Sequence, residues 1–255
     1  MSSFSPIRSV TRALDVLAAM NRHAFCALET LHQQTRIPKP TLVRILETLQ
    51  SKGMVSRGPQ YGTYCLTSEV KTLSAGYHGE PRLIEAAAAP AEALTRKIKW
   101  PLALAVPDYD AVVVRYSTIP HSPLALLHST LNMRLSLVGR ALGRAYLAFC
   151  SREERKALLD ILRMSTHEED QTARNASQLQ AMLKKTRQQG YALRAPGIRP
   201  VSGTLALPIM EGPRVVATVG MTWMTSAISE QQAIARYLQP LQALSQEISE
   251  RLHRL

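Results

Sequence analysis

Apolar side chains recur at helical spacing through the first fifty residues and at alternating spacing in several later stretches. That change of period lays out the chain. Ser9 to Met20 predicts a helix, with Val10, Ala13, Leu14 and Leu17 on its inner side and Ser9 as a candidate cap. Ala27 to Thr35 predicts a second, shorter helix with Leu28 and Leu31 inward. After the turn Arg36-Ile37-Pro38-Lys39, Leu42, Ile45, Leu46 and Leu49 form one apolar stripe of a third helix. Thr41, Arg44, Thr48 and Lys52 fall on the adjacent polar stripe. Pro40 suits a first helical position, and Gly53 suits the left-handed residue that often ends a helix. Met54-Val55-Ser56-Arg57 and Thr63-Tyr64-Cys65-Leu66-Thr67 alternate about the turn Gly58-Pro59-Gln60-Tyr61-Gly62, which predicts a hairpin. Three helices and a hairpin are the order of a winged helix-turn-helix, with the third helix as the one that enters a DNA groove. Taken alone, that helix reads equally as an ordinary amphipathic helix with one solvated side. The candidate DNA contacts are Arg12 on the first helix, Lys39, Thr41, Arg44 and Thr48 at the third, and Arg57 and Tyr61 on the wing. Tyr61 also reads as a plain turn aromatic.

Ser68 to Tyr77 predicts a connecting helix, and His78-Gly79-Glu80-Pro81 a break. Arg82 to Lys99 is an Ala-rich helical run that Pro90 is expected to kink or split. The expected domains are residues 1–67, a linker helix at 68–80, and 81–255. In the last of these, Leu102 to Val106 and Val112 to Ser117 predict strands about the turn Pro107-Asp108-Tyr109-Asp110, and Leu124 to His128 a third. Gly139 to Cys150 contains a helix start. Ser151-x-x-Glu154 is a capping-box pattern that opens another helix, and Asn175 to Gln189 is a third, ended by Gly190. Thr204 to Ile209 and Val215 to Trp223 predict two more strands. Ser229-x-x-Gln232 caps a final helix to about Leu252, interrupted by Pro240. Antiparallel strands mixed with helices make this an α+β domain.

Composition narrows the function. The 255 residues are 45% hydrophobic and 20% charged, as in a globular protein, and carry a net charge of +12. That excess suits a polyanionic partner, although many basic proteins bind no nucleic acid. The first 79 residues hold nine Lys or Arg and four acids, against 22 and 15 in the other 176, so the basic excess per residue is greater at the N-terminal end. Cys26, Cys65 and Cys150 lie far apart and match neither a zinc spacing nor a disulfide framework. No apolar run is long enough for a membrane span, no secretory pattern opens the chain, and a cytoplasmic protein is expected. The chain lacks a nucleophile elbow and a phosphate-binding loop. His121 and His128 lack a third clustered ligand, and His167-Glu168-Glu169-Asp170 reads as a solvated acidic turn. Neither catalytic nor metal-ligating residues are assigned, no cofactor is expected, and an enzyme is the weakest reading.

The run Ser9-Val10-Thr11-Arg12-Ala13-Leu14-Asp15-Val16-Leu17 resembles the opening of IclR-type bacterial transcription regulators, as does Pro40-Thr41-Leu42-Val43-Arg44-Ile45-Leu46-Glu47-Thr48-Leu49 followed by Gly53. The likeness covers about residues 8–252. Within the family, Trp100-Pro101, Asp110-Ala111-Val112-Val113-Val114-Arg115, Leu147-Ala148-Phe149-Cys150 and Ser226-Ala227-Ile228 with Gln231-Gln232-Ala233 resemble activators of 3-hydroxyphenylpropionate catabolism. The resemblance implies a GAF-like effector-binding domain at the C-terminal end and a connecting region that helps pair subunits. It also implies a dimer or tetramer on a roughly palindromic operator, control by a small aromatic or carboxylic acid, and contact with RNA polymerase if the protein activates. Mapped onto this chain, the implied pocket residues are Leu142, Gly143, Thr204, Gly220 and Thr222. Arg140 and His128 are candidate positive charges for an acidic effector, each also readable as a solvent-facing or structural side chain. Two departures stand out. Acidic residues common in the family after the position of Tyr191 are replaced by Arg194-Ala195-Pro196-Gly197, and the usual Thr-Ala start of the pocket helix is Arg140-Ala141. The alternative to a sensor is a DNA-binding protein whose C-terminal domain only oligomerises.

Overall fold

A computed structural model describes residues 6–74 and 81–255. It divides into two compact units, Met1–Gly79 with Leu127–Ser129, and Glu80–Leu126 with Thr130–Leu255.

In the first unit, α1 (Arg8–Met20), α2 (Leu28–Thr35) and α3 (Lys39–Ser51) precede a three-stranded antiparallel sheet. Its strands β1 (Cys26–Ala27), β2 (Val55–Arg57) and β3 (Thr63–Leu66) lie in the order β1-β3-β2. All four apolar positions of α3 (Leu42, Ile45, Leu46 and Leu49) are buried against Val16, Met20, Leu31, Val55 and Tyr64. The turn into α3 is fixed locally. Arg36 takes the left-handed conformation at φ 56°, His32 Nδ1 donates to the Ile37 carbonyl at 2.7 Å, and Thr35 Oγ1 accepts from Ile37 N at 3.3 Å. Gly53, at φ 72°, turns the chain from α3 into the wing. The inner face of α1 differs from expectation. Val10 and Leu14 are 53% and 60% exposed, whereas Val16, Ala19 and Met20 are buried with Ala13 and Leu17 beside them. The helix carries two apolar stripes, and periodicity does not say which one packs. Ile7, not Ser9, holds the N-cap position, and no side chain caps the helix. Of the expected helix from Ser68 to Tyr77, a 3-10 helix over Ser68–Ser74 is present. Residues 75–77, and 78–80 of the expected break, lie outside the described residues, as do 1–5 of the N-terminal arm.

The second unit is a six-stranded antiparallel sheet in the order β6-β5-β4-β9-β8-β7. Its strands are β4 (Leu102–Asp108), β5 (Ala111–Ser117), β6 (Arg134–Ser136), β7 (Ala192–Leu193), β8 (Ser202–Glu211) and β9 (Arg214–Met224). One face carries Leu205, Leu207, Val219, Met221 and Trp223 under α4 (Pro81–Ile98) and α8 (Glu230–Arg254). The other, with Ala105, Val112, Val114 and Ala206, lies under α5 (Ala141–Phe149), α6 (Arg152–Arg163) and α7 (Ala176–Gln189). Alternation along β8 and β9 sorts the two faces. The segment Leu124 to His128 is not a strand. β6 pairs with β5 instead, and an apolar run that short does not fix its own conformation. Pro90 and Pro240 lie inside continuous helices rather than breaking them. A proline costs one backbone hydrogen bond, and tertiary burial of a helix face overrides that local penalty. The Ser229–Gln232 capping box is complete. Its counterpart at α6 is half made. Ser151 Oγ accepts from Glu154 N at 3.1 Å, but the Glu154 carboxylate accepts from the Tyr146 hydroxyl instead. Asn175 caps α7 through Gln178 N, and Gly190 ends it at φ 79°. The two-residue strand β7, unforeseen from its pattern, adds the last edge.

Candidate nucleic-acid interface and effector site

With its apolar stripe buried, α3 presents Arg44 and Thr48 exposed and Thr41 half-buried. These three line a groove of about 860 Å³ together with Arg8, Ser9, Arg12, Glu47 and Ser51. Three arginines from two helices therefore border one concave surface. Thr48 Oγ1 donates to the Arg44 carbonyl at 2.8 Å, which ties that hydroxyl to its own helix while its oxygen stays open. Lys39 turns away from this groove and pairs with Glu29 of α2 at 2.5 Å, a contact that holds the Glu29 carboxyl below its ordinary range. On the wing, the Arg57 guanidinium lies 5.5 Å from the centroid of the Tyr64 ring, which stiffens an exposed cation, and Tyr61 stands fully exposed at the tip. Arg8, expected in a loose arm over residues 1–8 from which it could touch phosphate, instead opens α1 and lines the groove with Glu47 and Ser51, which were not among the expected contacts. Their signal was available in the one-turn spacing from Arg12, Arg44 and Thr48.

In the second unit, Thr204 and Thr222 are cross-strand partners on β8 and β9, their hydroxyl oxygens 3.1 Å apart. Gly220 pairs with Ala206 on the same face, and a side chain there would approach Leu142 of α5 to 3.1 Å. Leu142 thus lies over the β9 backbone. Gly143 permits a closer approach: a Cβ would fall 2.1 Å from the Ser136 carbonyl oxygen. Leu142, Gly143, Thr204, Gly220 and Thr222 are therefore brought to the α5 side of the sheet. The first turn of α5 has no side-chain cap, leaving backbone N–H groups at a positive helix end. At its other end Arg155 donates to the carbonyls of Leu147, Ala148 and Cys150, and Arg187 donates to Ala148 O at 2.6 Å.

Of the two expected cations, Arg140 sits at the N-cap of α5 but is engaged by a carboxylate, and His128 lies in the other unit. Arg140 is locked by Glu169, which accepts from both Nε and Nη2. His128 is exposed in the segment Leu127–Ser129, which belongs to the first unit. In their place stands Arg194, just after β7. It donates to Ser202 Oγ at 2.7 Å and to Thr204 Oγ1. The loop beyond it folds over the start of α5, with Ala195 N donating to Gly139 O at 2.9 Å. Sequence reasoning met Arg194 only as a departure from the family pattern. Ser202 was not among the expected residues, and Glu169 was expected within a solvated acidic turn; instead Glu169 pairs with Arg140, and Asp170 is buried and accepts from the Ser136 and Ser165 hydroxyls. Among the described residues, no group of acidic, Cys or His side chains forms a metal site, and no helix is long and apolar enough to cross a membrane.

Two family descriptions match the chain, the IclR helix-turn-helix domain at residues 9–59 and the bacterial transcriptional regulator IclR C-terminal domain at residues 76–250. The transcriptional regulator XynR of Escherichia coli is 25% identical over 248 residues, covering 96% of this chain and 97% of its own. The fold is shared with the IclR of Thermotoga maritima, at a TM-score of 0.68 and 19% identity over 96% of this chain and 99% of that one. It is also shared with an IclR homologue from Microbacterium hydrocarbonoxydans in complex with 4-hydroxybenzoate, at a TM-score of 0.62 and 18% identity over 97% and 100%. The chain belongs to the IclR family of bacterial transcriptional regulators, with an N-terminal DNA-binding helix-turn-helix and a C-terminal ligand-binding domain.

Proposed function

We propose that this regulator reads operator DNA through α3 and the wing and is controlled by a small aromatic or other carboxylic acid. The acid binds the C-terminal unit between the start of α5 and strands β8 and β9. Residues 1–67 then form the DNA-binding domain, 68–80 the link and 81–255 the sensor, in a cytoplasmic homo-oligomer that contacts RNA polymerase if it activates. The observation that carries the DNA role is the groove in which Arg8, Arg12 and Arg44 flank the open edge of α3. Helix N-terminal residues and adjacent arginines are the groups that reach base edges and phosphates in this class of fold. Thr41, Arg44 and Thr48 face bases, Arg12 and Arg57 hold phosphates, and Tyr61 rests in or beside the minor groove. Lys39 is the weakest of the set, because Glu29 competes for it. The sensor role is supported by the uncapped start of α5 and the paired hydroxyls of Thr204 and Thr222. An aromatic acid is supported by the segments resembling hydroxyphenylpropionate regulators and by the 4-hydroxybenzoate bound to the Microbacterium homologue.

Fluorescence anisotropy on the DNA upstream of its own gene, with and without 3-phenylpropionate, cinnamate, benzoate and 4-hydroxybenzoate, tests both roles. Specific binding that at least one acid alters is the expected result. Arg44→Ala should cost about 1–3 kcal/mol and relax the preference at one base position. Operator binding that no small acid changes would favour a C-terminal domain that only oligomerises. Binding no better than to scrambled DNA would remove the central assignment.

A further inference from the structure

Three arginines gather where the β7–β8 loop folds over the start of α5, and only Arg140 has a carboxylate partner, Glu169, among the described residues. Arg194 is held differently. Its Nη1 donates to the carbonyls of Arg199 at 3.3 Å and Ser202 at 2.8 Å and to Ser202 Oγ at 2.7 Å, and its Nη2 donates to Thr204 Oγ1. Every acceptor is neutral. Neutral oxygens satisfy the N–H groups of a guanidinium without cancelling its charge, and a half-buried charge left that way is costly. Burial first, then the like charges of Arg140 and Arg199, bring the Arg194 pKa down to about 10, with Glu169 opposing. It therefore remains a cation at neutral pH.

The hydroxyls beside it point the same way. An arginine can only donate, so Thr204 Oγ1 accepts from it. The Thr204–Thr222 contact at 3.1 Å uses one of the two hydroxyl protons whichever residue donates, which leaves one proton of the pair for a further oxygen acceptor. A cation whose bonded acceptors are all neutral and a hydroxyl pair with a proton to spare are jointly completed by an oxyanion.

We infer that Arg194 is the anion-receiving residue of the proposed effector site, taking the carboxylate of a small organic acid with the Thr204–Thr222 hydroxyl pair beside it, while Arg140 is withdrawn into its pair with Glu169. The inference rests on the reading that the C-terminal unit senses a small acid. It adds the residue that selects acids over neutral analogues.

Isothermal titration of the full chain with 3-phenylpropionate, cinnamate and benzoate, each against its primary amide, tests it in the wild type, Arg194→Gln and Arg194→Lys. The wild type should prefer each bound acid to its amide. Arg194→Gln should lower acid affinity about ten- to a hundredfold, as loss of a charged hydrogen-bonding partner does, and level the acid-to-amide ratio. Arg194→Lys, which keeps the charge and loses the fork, should fall between them. A residue that only pins the loop would change both ligands together, and an unchanged ratio in folded Arg194→Gln would overturn the inference. If that variant fails to fold, a wild-type preference no greater than that of Arg194→Lys overturns it. Acids that bind and alter operator affinity without regard to Arg194 sink this inference alone. The absence of any acid binding sinks it together with the sensor reading.

Discussion

Gly143 shows how one missing side chain positions the site. A Cβ at 143 would lie 2.1 Å from the Ser136 carbonyl oxygen and 2.7 Å from Leu137 Cα, and backbone atoms cannot step aside as a flexible side chain can. Gly143→Ala should therefore push the start of α5 away from β6 and destabilise the C-terminal unit by about 1–3 kcal/mol, the usual cost of overpacking. Urea denaturation followed by circular dichroism measures it, and an unchanged midpoint would show that the two segments part at no cost. Gly220 makes the useful contrast. Its nearest obstacle is the Leu142 side-chain tip at 3.1 Å, which can rotate, so the same substitution there costs less. The family likeness marked both glycines as pocket positions. The reason for each is a backbone approach that no spacing rule contains.

At the scale of elements, local chemistry was the most legible part of this chain. The Ser229–Gln232 capping box, the Asn175 cap and the Gly190 stop could be read because each is a signal within a few residues. Ser229→Ala removes one side of the box at the start of a 25-residue helix that packs along β8, and should cost about 1 kcal/mol. Thermal denaturation of the full chain reports it as a lowered transition for the C-terminal unit, and no shift would mean that packing alone fixes the helix start. Non-local outcomes were not legible. Pro90 was expected to kink or split its helix and Pro240 to interrupt its own because their penalty is local, whereas both helices run through, held by burial against the sheet. Leu124 to His128 read as a strand because it is apolar, whereas the edge of β5 went to Arg134–Ser136. The same limit applies to the site. Thr204 and Thr222 were named, but Arg194 reaches Thr204 from the end of β7 and Glu169 reaches Arg140 from a distant segment, contacts which single-sequence spacing does not encode.

For the whole molecule, the surface left over by folding matters most on α1. Val16, Ala19 and Met20 supply its core face, yet Ile7, Val10 and Leu14 remain 69%, 53% and 60% exposed, three large aliphatic residues spaced three and four apart on one side of the helix. A monomer gains nothing from keeping that stripe in water. In the homo-oligomer proposed above, a second copy of the chain covers it, which would set two recognition helices at the fixed separation that a two-fold operator requires. Such pairing would also fix the α3 of each copy, since α1 and α3 share the groove lined by Arg12 and Arg44. Leu14→Glu puts a charge in the middle of the stripe and leaves the buried face untouched. Sedimentation should show weakened self-association, and operator affinity should fall more for a two-half-site DNA than for a single half-site. An equal loss on both DNAs, or an unchanged sedimentation profile, would assign the stripe to something other than pairing and leave the dimer to be built elsewhere.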